Sequence, residues 1–294
     1  MTWDRDFLPW LVSLAGMATL LWLFYWMLAP GKTVVREFIY KETPEANLAI
    51  RLFLPSDWAP HHQRPAILFF FGGGWIGGGI DHFKWQADVL AREGIVAALV
   101  DYRVDSRHHT TPDAAVADGF DAFSWLLENA NRFGIDPKKI IASGSSAGGH
   151  IAACLALCTP PQAAKTPEEQ PALLVLFNPV LDLTNATPEL EFSHRELELI
   201  AMMSTETVSA ISPNQHVDNH TPPSLLIFGD LDPLTQQGEQ FSRMAEAAGV
   251  KTRTEIFPGQ KHGFFNREPW RSETLEMAER FLTKHNMLPV SPNE

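Results

Sequence analysis

Cysteine is nearly absent: the chain of 294 residues has two, Cys154 and Cys158. Four apart in a stretch of helical spacing, they are badly placed to bond to each other, so no disulfide framework is expected and both read as small core residues. Basic residues are scarce and unclustered, 23 Lys and Arg against 35 Asp and Glu, for a net charge of −12. Nucleic acid is thereby excluded as a partner, because phosphate binding needs concentrated Lys and Arg. No Cys/His group has zinc spacing, so no metal site is expected. Internal repeats and low-complexity segments are missing too. Long apolar runs are absent with one exception, residues 7–29, which carry no charge. Such a length can span a bilayer. Met27-Leu28-Ala29-Pro30 offers no Ala-x-Ala cleavage pattern, which favours a retained single-pass N-terminal anchor over residues 1–31 ahead of a cleaved signal or a buried core helix. The membrane is therefore an expected partner. Arg5 alone precedes the run while Lys32, Arg36 and Lys41 follow it, a bias that leans toward a cytoplasmic catalytic domain without fixing the side.

What is present is a pattern of alternating elements over residues 32–294, long enough for one large domain. Residues 33–40 and 48–54 alternate apolar and polar positions around Thr43-Pro44-Glu45-Ala46-Asn47 and predict an antiparallel hairpin. Short, almost continuous apolar runs follow at 66–71, 96–100, 140–143, 173–177 and 225–228, with 252–257 less apolar. Runs of this kind suit strands buried on both faces of a parallel sheet. Helical spacing lies between them at 81–93, 147–157, 236–248 and 270–284. It is clearest in Val116, Phe120, Phe123 and Leu127, opened by Thr111-Pro112-Asp113 and closed by Gly134. The fold class expected is α/β, a mostly parallel doubly wound sheet with right-handed crossovers. Residues 183–223 break the alternation; Leu197, Ile200 and Ala201 there predict a small helical cap.

The chemistry concentrates in Gly144-Ser145-Ser146-Ala147-Gly148, which follows the run Ile140-Ile141-Ala142 and precedes a helix. A strand, a sharp turn and a helix would present Ser146 as a nucleophile, with small residues on both flanks because a side chain there would collide. Serine needs a base, and the base needs a carboxylate to orient it. His262 lies in a glycine-flanked loop after the last strand and is the expected base, whereas His285 ends the last amphipathic helix. Asp230 and Asp232 both follow the strand at 225–228; Asp232, just before Pro233, is the expected acid and Asp230 the alternative. Gly72-Gly73-Gly74-Trp75 follows a buried strand, so the N–H groups of Gly73 and Gly74, joined by that of Ala147, are the expected oxyanion donors. Trp75 is expected to line the substrate pocket.

Phe69-Phe70-Phe71-Gly72-Gly73-Gly74-Trp75, Asp101-Tyr102-Arg103, Ser106-Arg107-His108, Gly144-Ser145-Ser146-Ala147-Gly148-Gly149-His150 and His262-Gly263-Phe264 carry a family resemblance over about residues 33–288. The chain resembles the α/β-hydrolase esterases grouped with hormone-sensitive lipase and, more closely, the acetyl-xylan-esterase-like carbohydrate esterases. The resemblance implies a serine carboxylesterase that needs no cofactor. In the lipase-like group the glycine run begins with His; here Phe71 stands instead. With Trp75 beside it, the expectation is a narrow apolar acyl pocket and small acyl esters, including acetyl groups on sugars. An amidase, arylformamidase-like or peptidase activity on the same triad is the alternative, and a binding module on a dead hydrolase is disfavoured because all three members are present.

Overall fold

The computed structural model describes residues 32–159 and 170–288. Among them the strands are β1 (Val34–Glu42), β2 (Asn47–Leu54), β3 (Arg64–Phe70), β4 (Val96–Val100), β5 (Ile135–Ser145), β6 (Leu173–Phe177), β7 (Ser224–Gly229) and β8 (Thr252–Phe257). They join in one sheet of order β1-β2-β4-β3-β5-β6-β7-β8. Pairings of β2 with β1 and with β4 are antiparallel and all others are parallel. The helices are α1 (Lys84–Arg92), α2 (Asp105–His108), α3 (Pro112–Glu128), α4 (Ala147–Leu157), α5 (His194–Ala201), α6 (Thr205–Ala210), α7 (Thr235–Ala247) and α8 (Trp270–Lys284).

The two-residue period of a strand sends neighbouring side chains to opposite faces. Ala66, Leu68 and Phe70 join one core with α3, α4 and α7, while Ile67 and Phe69 join the other with α1 and α8. Both faces of the central strands are thus covered, which is why β4 and β6 read as unbroken apolar runs. The chain passes from β3 to β4 on one side, then returns to place β5 on the other side of β3. That reversal makes the carboxyl ends of β3 and β5 the switch point where α/β sheets bind ligands. Register brings the strand ends level: Phe70 faces Gly144, Ser145 faces Phe177, and Gly229 faces Phe257.

Some elements differ from expectation. Strand β5 begins at Ile135, five positions before the apolar run, because Asp136, Pro137, Lys138 and Lys139 hide its first half. Helix α2 is too short and polar to show in periodicity; just before it, Arg103 joins a charge network centred on Asp118 of α3. Asp118, with no exposure, accepts from the Arg103 backbone N–H at 2.9 Å, from its guanidinium at 2.8 Å and from Lys41 Nζ at 2.6 Å. A buried carboxylate persists only when paired in this way.

The expected membrane location is corrected. Among the described residues no helix is long and apolar enough to cross a membrane. The longest, α3, has 17 residues and carries Asp113, Asp118, Asp121 and Glu128, short of the roughly 20 apolar residues a span requires. The proposed anchor at 1–31 lies outside the described residues, and no membrane partner is carried forward.

Between β6 and β7 the chain forms the small cap. A short turn at Pro188–Leu190 leads to α5, whose Ser193 and Glu196 form a reciprocal capping box. Gln237 of α7 ties the start of this segment down, accepting from Leu181 N at 2.7 Å and donating to Asp182 O at 2.9 Å. Arg195 forks onto Asp105 of α2 at 2.7 and 2.8 Å, joining cap to core.

Candidate active site

Ser146 occupies the turn between β5 and α4 with φ 53° and ψ −121°. A non-glycine residue in this region is strained by about 1–3 kcal/mol. The turn is held by Ser146 N donating to Phe177 O at 3.0 Å, while Ser146 O accepts from His150 N at 3.0 Å. A Cβ at Gly144 would strike Gly148 O, and one at Gly148 would strike Phe70 O and Phe71 O. The two glycines therefore let β3, β5 and α4 close around the serine.

Beyond β3, the glycine loop folds back on itself, with Ile76 N and Gly77 N both donating to Gly73 O at 3.0 Å. Gly73, Gly74 and Trp75 all have positive φ, at 135°, 63° and 57°. The N–H groups of Gly73 and Gly74 donate to nothing else among the described residues, and that of Ala147 opens α4, where no intrahelical acceptor exists. Gly73 and Gly74 line the cavity that also holds Ser146, and Ala147 N lies at the N-terminus of α4 beside that serine.

His82, which the sequence did not single out, fixes this loop. Gly72 N donates to His82 Nδ1 at 3.1 Å, so Nδ1 carries no proton and Nε2–H donates to Asn266 Oδ1 at 2.7 Å. Asn266 Nδ2 in turn donates to Gly263 O at 3.1 Å, beside His262. The glycine loop and the His262 loop are thus bound through one neutral imidazole. Burial pushes His82 below its ordinary value, partly offset by its bond to Asn266. Its only sequence signal was position, a histidine just past the glycine loop.

His262 lies in the loop after β8. Its Nε2 is 3.0 Å from Ser146 Oγ and its Nδ1 is 2.8 Å from Asp232 Oδ2. Asp232 closes the turn after β7 and is 3 % exposed, its other oxygen accepting from Leu234 N at 3.0 Å. Asp230, two residues earlier, points to solvent, and His285 packs on Phe281 at the end of α8. The structure therefore brings Ser146, His262 and Asp232 together and leaves both alternatives outside.

Trp75 is placed otherwise than expected. Positive φ turns its side chain beneath the loop, 1 % exposed, edge-on to His150 at 5.2 Å. Phe71 likewise stacks on Tyr102 at 4.0 Å inside the core. Neither residue lines the cavity over Ser146, so neither narrows it. That cavity, about 450 Å³, is walled by Val180, Leu190, Phe192, Leu234 and Phe265 on its apolar side and by His82, Glu191, Glu196 and Asn266 on its polar side. Glu191 and Glu196 of the cap segment border the site, Glu196 because α5 folds over Gly74. Among the described residues no group of His, Cys, Asp and Glu is arranged to hold a metal ion.

The alpha/beta hydrolase fold family matches residues 67–266, and the chain belongs to it, as a carboxylic ester hydrolase of the hormone-sensitive-lipase-like kind. It is 29% identical over 234 residues to the ethyl acetate hydrolase of Pseudomonas putida, covering 74% of this chain and 71% of that protein. It is 28% identical over 230 residues to the carboxylesterase NlhH of Mycobacterium tuberculosis, covering 71% of this chain and 70% of that one. Among solved structures it is similar to Thermogutta terrifontis esterase 2 phosphonylated by sarin, with 33% identity, a TM-score of 0.81 and coverage of 90% and 99% of the two chains. The butyrate-bound form of that esterase has a TM-score of 0.78 at 32% identity, covering 90% of this chain and 98% of its own.

Proposed function

We propose that residues 32–294 form a catalytic domain, with the cap at 183–223, that hydrolyses short-chain acyl esters through Ser146, His262 and Asp232. The observation that carries this reading is the His262 imidazole, bonded to Ser146 Oγ at 3.0 Å and to Asp232 at 2.8 Å. His262 Nε2 takes the proton of Ser146 as Oγ attacks the acyl carbon, and Asp232 holds the imidazole in the tautomer that can receive it. The N–H groups of Gly73, Gly74 and Ala147 receive the oxyanion; Gly72 N is already committed to His82. His262 then returns the proton to the leaving alcohol. Water repeats the sequence on the acyl-enzyme and frees the acid.

Short acyl groups are favoured by a cavity of about 450 Å³ shared between acyl and alcohol portions. Its polar wall, His82, Glu191, Glu196 and Asn266, suits a hydroxyl-rich alcohol, which keeps acetylated carbohydrate in the substrate class. The name of the Pseudomonas putida relative and the butyrate bound by the Thermogutta esterase support the same acyl size. The test is a panel of p-nitrophenyl esters from acetate to palmitate, with acetylated xylan and N-formylkynurenine. Acetate and butyrate should exceed decanoate in kcat/KM by at least about tenfold, since each misfit methylene costs about 1 kcal/mol or more. An optimum at octanoate or beyond, or preference for N-formylkynurenine over every ester, would sink the proposal.

A further inference from the structure

Asn178 stands where β6 hands over to the cap, fully buried and followed by Pro179. Its backbone lies in the left-handed region at φ 45°, and its N–H donates to Ile227 O at 2.7 Å. The side-chain Nδ2 donates to Asp232 Oδ2 at 2.5 Å, and that same oxygen is 2.8 Å from His262 Nδ1. The amide's own Oδ1 has no hydrogen-bond partner among the described residues. Two unfavourable features therefore meet in one side chain. A non-glycine residue at positive φ is strained, and a buried carbonyl without a donor is poorly solvated. The amide cannot relieve the second by turning over, because Oδ1 would then face a carboxylate. Glycine would fill this backbone position without strain and would leave no orphan acceptor. What glycine lacks is the N–H aimed at Asp232.

We propose that Asn178 is a positioning residue for the acid of the triad: its amide fixes Asp232 Oδ2 against the imidazole and shares the charge of that oxygen. This rests on the reading of Ser146, His262 and Asp232 as the triad. Sharing matters because a carboxylate whose whole charge falls on one imidazole N–H favours the imidazolium. His262 would then be available as a base only at higher pH. With Asn178 donating, the carboxylate still orients the ring without placing its whole charge on it. Besides Asp232, the titratable groups sharing the cavity with His262 are His82, Glu191 and Glu196, and none of them changes when Asn178 is replaced.

Two variants of the full chain test the idea. Asn178→Gly removes the amide while relaxing the backbone, and Asn178→Ala removes it while keeping a Cβ at the same positive φ. The measurement is kcat and KM for p-nitrophenyl butyrate from about pH 5 to about pH 9, with thermal midpoints and Ser146→Ala in parallel. The acid limb of kcat/KM should move upward by at least about half a pH unit in both variants. At neutral pH kcat should fall by at least about tenfold with KM within about threefold. An unmoved acid limb would overturn the proposal, whether activity is kept or is lost evenly across the pH range, since even loss marks a merely structural role. Persistent hydrolysis by Ser146→Ala would instead overturn the triad on which it rests.

Discussion

One imidazole can be oriented by one carboxylate, and the loop after β7 offers two. Asp232 is buried with its oxygens committed to Leu234 N, Asn178 Nδ2 and His262 Nδ1, whereas Asp230 is exposed. The turn itself makes the choice: Asp232 N donates to Gly229 O at 3.1 Å and its carbonyl receives Thr235 N at 3.0 Å, which rolls its side chain toward the sheet ends. Asp232→Asn should therefore lower kcat by about 10³-fold or more, because the amide would stabilise the wrong tautomer. Asp230→Asn should stay within about twofold of wild type. Steady-state kinetics on the two variants decides between them, and the opposite ranking would reassign the acid.

At the scale of elements, α5 is held over the glycine loop by the fork between Arg195 and Asp105 at 2.7 and 2.8 Å. The guanidinium holds Asp105 below the usual carboxylate range. Because Glu196 and Phe192 enter the cavity from the same segment, loosening α5 should weaken substrate binding more than chemistry. Arg195→Ala is expected to raise KM by about threefold with kcat within about twofold, and added salt should narrow the gap by screening the pair. A change confined to kcat would contradict this account of the cap. What the sequence made legible was local. The strands, the Ser146 turn, the cap helix and the loop histidine all announce themselves within a few residues through apolar runs and glycine spacing. The rest is long-range: Asn178 meets Asp232 across 54 positions and His82 reaches Asn266 across 184, and no local periodicity encodes either. Trp75 went astray for a third reason. The spacing gives the loop but not the sign of φ, and at φ 57° the indole turns inward.

For the molecule as a whole, the doubly wound sheet brings groups from five strand ends to one point, and it does so by burying polar residues that then respond to pH. His150 of α4 is fully buried, donates through Nε2 to Ile211 O at 2.6 Å, and is pushed down from 6.5 to about 4, first by desolvation and against the pull of that bond. In the unfolded chain it would take up a proton near its ordinary 6.5. The sign follows from neutral native histidine: stability is fully present above about pH 6.5, falls as the unfolded state protonates first, and stops falling near pH 4. The loss over that window should be about 3 kcal/mol. His150→Gln cannot titrate, so its stability should fall less steeply between those limits when denaturant unfolding is followed against pH. Parallel curves for the two proteins would show that His150 is not the group responsible.

The central claim, that Ser146 forms the covalent intermediate, is tested most directly by intact-mass and peptide mass spectrometry after reaction with a fluorophosphonate. One adduct per chain on Ser146, appearing in step with the loss of esterase activity and absent from a folded Ser146→Ala, is the predicted result. An adduct on the neighbouring Ser145, or full hydrolysis of p-nitrophenyl butyrate by Ser146→Ala, would contradict it.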